Sequence, residues 1–382
     1  MNLDVISIVM NNFKNDSRVL KEAVSLHGDA YNVTVVALYE DGLKEEEVIN
    51  GIKVKRIRLY TKKWSKSLLI QILKYMEFLL KVIFNFRSKV DVIHCNDLGP
   101  LPIAVLMKGI SIGKTKIIYD AHEYQTEIIG LNGLRKKLTM IVEKSLIKYV
   151  DEVITVSESI ANEYVNNYKI KKPKLVFNCP NYSDPQTSNI FRELYSLSRD
   201  KKIFLYQGGL SAGRGIEQML DVFTSSSIHP NATLIMMGYG PLEKKVRRYA
   251  DDYNNIFYKE AVSPKDLLKY TSSADVGFLM TENSCLNNYF SLPNKLFEYI
   301  MAGLPVISND LPEVRNLINR YNFGWLIEEQ SVESIVSLVN ELVEKDLSEY
   351  AVNSKKMSIN YSWEVQEKTL LDAYRNVTRK GE

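Results

Sequence analysis

The chain has 382 residues, of which 45% are hydrophobic and 25% charged, and carries a net charge of +3. That balance fits a soluble globular protein long enough for two ordinary domains, each able to bury its own core. Cys95, Cys179 and Cys285 are odd in number and show no CxxC spacing, which argues against a disulfide framework or a zinc site and fits the reducing cytoplasm.

The N-terminus, MNLDVISIVM, lacks a basic leader and a cleavage site and reads as a first strand. Short β-branched runs then alternate with longer helical patterns, the arrangement of a parallel sheet covered by helices on both faces. Strands are expected at Val5 to Val9, Val33 to Leu38, Lys53 to Leu59, Val90 to His94, Lys116 to Tyr119, Val153 to Val156 and Leu175 to Phe177, with helices at Arg18 to Leu26 and Leu134 to Tyr149. From Asn178 to Lys202 the chain turns polar and irregular, with Pro180 and Pro185. Residues 1–180 are therefore expected as one domain and 181–200 as a linker.

A second series follows over 201–361, with strands at Ile203 to Tyr206, Thr233 to Met237, Ile256 to Tyr258, Val276 to Met280 and Pro305 to Ile307. The last segment, 362–382, includes an amphipathic helix at Trp363 to Val377 that could cross back onto the first domain. The expected fold class is α/β, two Rossmann-like doubly wound domains facing across a cleft. Ligands of such sheets bind beyond the carboxyl ends of the strands.

Those ends in the second domain are rich in glycine. QGGLSAGRGIEQML presents Gly208, Gly209, Gly213 and Gly215 with Arg214 among them, suited to close approach of an anion. Its spacing matches neither a dinucleotide fingerprint nor a Walker loop. Gly238 and Gly240 keep the next strand end bare, and Glu260 to Val262 could offer backbone groups to a flat base. In SLPNKLFEYIMAGLPVISN, Ser291 to Asn309, Pro293 is expected to open a helix in its first turn and Gly303 to close it, with Leu304 to Ile307 as a buried strand. Glu298 then lies one turn in, within reach of a ribose hydroxyl; an ordinary βα unit with a solvent-facing glutamate is the competing explanation.

In the first domain, Tyr119 to Glu123 end a strand and place His122 at the cleft, where a neutral imidazole could hydrogen-bond a sugar hydroxyl. His94, Asn96 and Asp97 form a second polar cluster expected on the same rim. A single histidine at a strand end can equally be structural.

Charge is uneven along the chain. Residues 1–180 hold 27 Lys/Arg against 20 Asp/Glu, and eleven basic residues but one acid, Glu77, fall between Lys53 and Lys89. Within that stretch Leu69, Ile72, Met76, Leu79, Leu80 and Ile83 recur at helical spacing, interrupted by Lys74, Glu77 and Lys81. The charges argue against a transmembrane span. The helix is expected to pack on the first domain's sheet, and the loop before it, with Lys62, Lys63, Trp64 and Lys66, would also suit an anionic membrane surface.

NDSRVLKEA, DVIHCND, KIIYDAHE, DEVITVSESI, YQGGLSAGRGIEQML, GYGP and SLPNKLFEYIMAGLPVIS, in that order, resemble the motifs of retaining glycosyltransferases of the GT-B fold, family 4 type. The resemblance implies transfer of a sugar from a nucleotide-sugar donor, held mainly by the second domain, to a glycan or lipid-linked acceptor in surface polysaccharide or glycolipid synthesis. It implies that a lysine and an arginine clamp the diphosphate: Arg214 stands at the lysine position, Gly209 at the arginine position, and Lys295 is a candidate replacement. Of the family's two glutamates, eight positions apart, Glu298 is kept and the other is Phe290. Asn287, Asn288 or Ser291 could substitute for it.

Under this resemblance His122, Glu298 and Arg214 are the candidate catalytic residues. Gly208, Gly209, Gly238, Gly240, Glu260, Val262, Ser291, Pro293, Asn294 and Lys295 line the donor nucleotide and diphosphate. Asp16, Asn96, Asp97 and Glu123 are candidates for acceptor or sugar contacts. No cofactor, metal or nucleic acid is expected. A nucleotide-sugar 2-epimerase would need carboxylates for proton transfer, with only Glu123 and Asp97 on the rim. A nucleotide-sugar-binding partner subunit without catalysis would follow from the losses at Gly209 and Phe290.

Overall fold

The computed structural model describes residues 3–29, 31–87, 90–184 and 188–378. Lys89 of the basic run, Pro185 of the expected linker and residues 379–382 of the terminal segment lie outside them. The chain forms two compact units, 1–176 with 367–382, and 177–366.

The first unit is built on an eight-stranded sheet in the order β3-β4-β2-β1-β5-β6-β7-β8. Its strands are β1 (Asp4–Ile8), β2 (Asn32–Leu38), β3 (Glu46–Ile49), β4 (Ile52–Ile57), β5 (Val92–Asn96), β6 (Lys116–Ala121), β7 (Glu152–Thr155) and β8 (Lys174–Leu175). The helices α1 (Ser17–Gly28), α2 (Leu68–Phe86), α3 (Leu101–Ile110) and α4 (Gly133–Leu146) connect them. The central strands are buried on both faces, as the unbroken β-branched runs of β1, β2 and β6 require. The edge strand β3 was not anticipated. It pairs antiparallel with β4, setting Glu46 opposite Lys55, and its EEVI sequence carries charge that only an edge position tolerates.

The second unit holds a six-stranded parallel sheet in the order β11-β10-β9-β12-β13-β14: β9 (Lys202–Gly209), β10 (Ala232–Tyr239), β11 (Ile256–Lys259), β12 (Val276–Leu279), β13 (Val306–Asn309) and β14 (Gly324–Ile327). The order steps outward from β9 in both directions, so the ends of β9, β10 and β12 meet at a topological switch point. Strand β14 was also unanticipated. Nor is 181–200 a bare linker: Ile190–Leu194 is helical and Phe191 is fully buried among Ile203, Leu205 and Ile235. The chain divides at Val176 and Phe177, ahead of the expected boundary after residue 180.

The terminal helix, Trp363–Thr378, begins in the second unit, and its residues from Glu367 belong to the first, where Tyr374 is fully buried. Among the described residues, no helix is long and apolar enough to cross a membrane.

Candidate functional site

In the second unit, β9 and β10 pair in register as far as Gly208 with Gly238 and Gly209 with Tyr239. A Cβ on Gly238 would lie 1.9 Å from the Gly208 carbonyl oxygen, and one on Gly240 would lie 2.4 Å from that of Leu210. Glycine is therefore a packing requirement at both positions at the end of β10. Arg214 sits between Gly213 and Gly215, both with positive φ, and a Cβ on Gly215 would fall 2.4 Å from that of Met280. Gly215 caps the helix Ile216–Phe223. The loop carrying Arg214 is thus held close against the end of β12.

The helix Asn294–Ala302 follows Pro293, which is the residue before the first turn and not within it as expected. Gly303 ends the helix with φ 73°, as anticipated, whereas the strand expected at Leu304 to Ile307 begins at Val306. Lys295 Nζ lies 3.7 Å from the centroid of the Tyr206 ring, and a Cβ on Gly208 would come within 3.4 Å of it. Burial, then the charge of Arg214, lower the Lys295 pKa to about 7 against the opposing pull of Glu298. Two basic side chains and a carboxylate thus converge on the bare end of β9.

Glu298 does not simply face solvent. It accepts a 2.5 Å hydrogen bond from Gln207 Nε2. Gln207 is itself buried: its Oε1 accepts from Thr271 Oγ1 at 2.8 Å, and its backbone N–H donates to the Tyr299 hydroxyl at 3.1 Å. Sequence reasoning passed over Gln207, although one amide at the end of the apolar run IFLY was the available signal.

Other expected residues are differently employed. The Ser291 hydroxyl donates to the Asn288 carbonyl at 2.9 Å, and Asn288 Nδ2 donates to Ser284 Oγ at 3.0 Å. Phe290 is half-buried, its ring 5.2 Å from that of Tyr289. Asn294 is exposed. Exposed Glu260 pairs with Arg247 at 2.9 Å, and that guanidinium lies 4.1 Å from the centroid of Tyr258. Val262 packs on the core beneath.

In the first unit the organising residue is Asp120, fully buried at the end of β6. Arg18 from α1 grips it through Nη2 at 2.8 Å and Nε at 3.1 Å, and Arg18 Nη1 donates to the Val176 carbonyl at 2.8 Å. Asp120 Oδ2 accepts from His122 Nε2 at 3.0 Å, and Asp97 Oδ2 lies 3.8 Å from His122 Nδ1. Burial disfavours the imidazolium, but the two carboxylates outweigh it and raise the His122 pKa to about 9. His122 is therefore a cation at neutral pH, which corrects the expectation of a neutral imidazole. Asp97 has φ 66° and accepts on Oδ1 from the His122 N–H at 3.0 Å and from Gln125 Nε2 at 2.8 Å.

Several first-unit residues are structural. Asn96 is buried and donates to Ser7 Oγ and the Ile8 carbonyl. His94 is also buried, its Nδ1 2.8 Å from the Tyr374 hydroxyl, so neither residue stands on a rim. Asp16 caps α1, accepting from the Val19 N–H at 3.3 Å and from Asn11 Nδ2 at 2.8 Å. Glu123 is exposed. Arg18 and its buried neighbour Glu22, 3.0 Å apart, went unnoticed in NDSRVLKEA; their i,i+4 spacing on the inward face of α1 was the signal. Glu22, His94 and Asp120 bring donor atoms within 4.8 Å of one another, but Arg18 already contacts both carboxylates and supplies the charge a metal would.

Family models match across both units: "Glycosyltransferase Family 4" over residues 18–179 and "Glycosyl transferases group 1" over residues 188–360. The chitobiosyldiphosphodolichol beta-mannosyltransferase of Candida albicans is 26% identical over 269 residues, 64% of this chain and 58% of that protein's length. Sucrose-phosphate synthase from Thermosynechococcus elongatus superposes with a TM-score of 0.76 at 16% identity, covering 98% of this chain and 99% of that one. Anabaena HepE in complex with UDP superposes at 0.74 with 12% identity, covering 98% and 99%. At such identities the structural likenesses concern the fold. With both family models and the two parallel-sheet units in place, the chain belongs to the group 1 glycosyltransferases of the GT-B fold.

Proposed function

We propose that this protein transfers a sugar, with retention of configuration, from a nucleoside-diphosphate sugar to a glycan or lipid-linked acceptor in the synthesis of a surface polysaccharide or glycolipid. The observation that carries the reading is the convergence of Arg214, Lys295 and Glu298 on the glycine-bared end of β9. A diphosphate needs cations and unobstructed backbone N–H groups, and the first turn of the helix Asn294–Ala302 adds more of the latter. Lys295 takes the place of the cation absent at Gly209. Glu298, aligned by Gln207, is suited to accept from a ribose hydroxyl. HepE, a fold neighbour, was solved with UDP, which supports a nucleotide as ligand of this chain.

The protein's contribution to the chemistry is charge stabilisation on the departing diphosphate and positioning of the acceptor, whose proton passes to that leaving phosphate. His122, as an imidazolium, is the first unit's candidate for the polar groups of the donor sugar. The reading needs no metal and places the enzyme in the cytoplasm, at an anionic membrane surface reached by Lys62, Lys63, Trp64 and Lys66.

The test is nucleoside diphosphate release from a panel of nucleotide sugars, with and without a lipid-linked acceptor and in the presence of a chelator. Release by the wild type that drops sharply in Arg214→Ala and Lys295→Ala supports the reading. Tight nucleotide binding without turnover on any donor would replace it with the non-catalytic subunit, a reading favoured by Phe290. Interconversion of a nucleotide sugar without acceptor would indicate an epimerase.

A further inference from the structure

The connections β4 to β5, β5 to β6 and β6 to β7 all step in one direction along the first sheet. Right-handed crossovers therefore place α2, α3 and α4 on the same face, with α3 packed against both neighbours. Helix α2 buries Phe78, Leu79 and Val82 against the sheet, yet carries a second apolar stripe on its other side, including Leu69 (75% exposed), Ile72 and Phe84. Helix α4 repeats the pattern. Its one buried residue is Glu143, and Leu134, Leu138 and Ile141 recur at i, i+4 and i+7 on the opposite side, 72%, 52% and 60% exposed. So much apolar surface on one face is more than a soluble exterior ordinarily shows.

The exposed charges of these helices have one sign. Arg135, Lys137 and Lys144 are exposed on α4, and Lys62, Lys63 and Lys66 precede α2. The only carboxylates on α2, α3 and α4 are Glu77 and Glu143. Glu77 accepts from the Tyr60 and Thr61 N–H groups and pairs with Lys81. Glu143 accepts from the hydroxyls of Tyr119, Tyr164 and Tyr168. No exposed carboxylate remains on these three helices to repel an anion; nearby, exposed Asp41 lies 3.7 Å from Lys63, and exposed Glu123 stands between β6 and α4. A protein interface would be expected to be poor in lysine, whereas apolar side chains ringed by lysine match the acyl boundary and headgroups of an anionic bilayer.

We infer that α4 is a second membrane-seating element, which together with α2 lays this face of the first unit on an anionic lipid surface, with Leu134, Leu138 and Ile141 entering the acyl boundary. The inference builds on the membrane part of the proposed function, which rests on the Lys62–Lys66 loop alone, and adds a different helix to it.

The experiment is co-sedimentation of the full chain with phosphatidylglycerol-containing and with pure phosphatidylcholine vesicles. It compares wild type, the triple variant Leu134→Gln/Leu138→Gln/Ile141→Gln and the loop variant Lys62→Glu/Lys63→Glu/Lys66→Glu, with light scattering of each in the absence of lipid. The replaced side chains are exposed, so melting temperatures should match. The inference expects binding to the anionic vesicles only, with partitioning of the triple variant reduced about tenfold or more. Binding of the triple variant at the wild-type level, with loss confined to the loop variant, would overturn it and leave the loop reading standing. Absence of wild-type binding would overturn both. A lipid-free dimer that the triple variant dissociates, without vesicle binding, would assign the face to a second copy of the chain instead.

Discussion

Gln207 Nε2 donates to Glu298 Oε2 across 2.5 Å, joining the end of β9 to a helix that begins more than eighty residues later in the chain. Since Gln207 is buried and also held by Thr271 and Tyr299, it fixes the direction in which the Glu298 carboxylate points. Gln207→Leu removes that partner while keeping the side chain's bulk. A hydrogen bond to a charged group contributes about 1.5–3 kcal/mol, so nucleoside diphosphate affinity should fall roughly tenfold to a hundredfold. Calorimetry on a panel of nucleoside diphosphates reads this directly, and unchanged affinity would mean that Glu298 does not touch the nucleotide.

Lys295 carries a pH signature. With its pKa lowered to about 7, it is partly neutral in the free protein, and an anionic ligand draws the proton back on. Binding above pH 7 should therefore be coupled to proton uptake, visible as a binding enthalpy that varies with the ionisation enthalpy of the buffer; Lys295→Met should abolish this dependence. Stability runs the other way. Between pH 7 and 10.5 the unfolded chain holds the proton that the folded chain has released, so stability rises with pH over that window: the cost of burying this group is largest at and below pH 7 and fades toward pH 10.5. Lys295→Met should therefore melt higher than wild type at pH 7 while binding nucleotide more weakly.

His122 and Glu22 set an opposite trend in the first unit. His122 rises from 6.5 to about 9, so its stabilising contribution is complete below pH 6.5 and disappears as pH climbs through 9. Glu22, raised by burial and by Asp120 from 4.5 to about 8, loses stability in the same direction over its own window. Thermal melts between pH 6 and 9 should fall more steeply for wild type than for His122→Asn. Parallel curves would show that the imidazolium does not form.

Arg18 supplies the charge that allows Asp120 to be buried at 0% exposure. Removing one partner of a buried pair costs about 3–5 kcal/mol because the other is left uncompensated. Arg18→Met should show that loss in urea unfolding, and Arg18→Met/Asp120→Asn should recover part of it. A double variant no better than the single one would place the cost elsewhere.

The strand-end glycines are not equivalent. Gly238→Ala would force a methyl against the Gly208 carbonyl and should lower the melting temperature and nucleotide affinity together. Gly209 has no atom within 4 Å of an added Cβ and an ordinary φ. Gly209→Arg should therefore fold normally, and by adding a cation beside Arg214 and Lys295, at the position the resemblance assigns to an arginine, it should tighten diphosphate binding. Equal damage from both substitutions would show that close backbone approach is not what distinguishes them.

Much of the architecture was readable because it depends on local, short-range physics. The β-branched runs, the glycines after β9 and β10, the closing Gly303 and the helical spacing of α2 need only neighbouring residues to be interpreted. Strand β3 was missed because Glu46 becomes tolerable only where an edge leaves it in solvent and Glu47 only through its pairing with Arg56 on the neighbouring strand, and Ile190–Leu194 because Phe191 finds its partners in distant strands. The charge state of His122 could not be read from KIIYDAHE: it depends on Asp120 being ionised, which depends on Arg18, 102 residues away. The sequence by itself determined that glycines, Arg214, Lys295 and Glu298 were available at strand and helix ends. Only the tertiary structure decided that Lys295 would lie over Tyr206 at Gly208, that Gln207 would hold Glu298 and that His122 would be a cation, because burial and long-range charge are properties of the folded environment and not of any local segment.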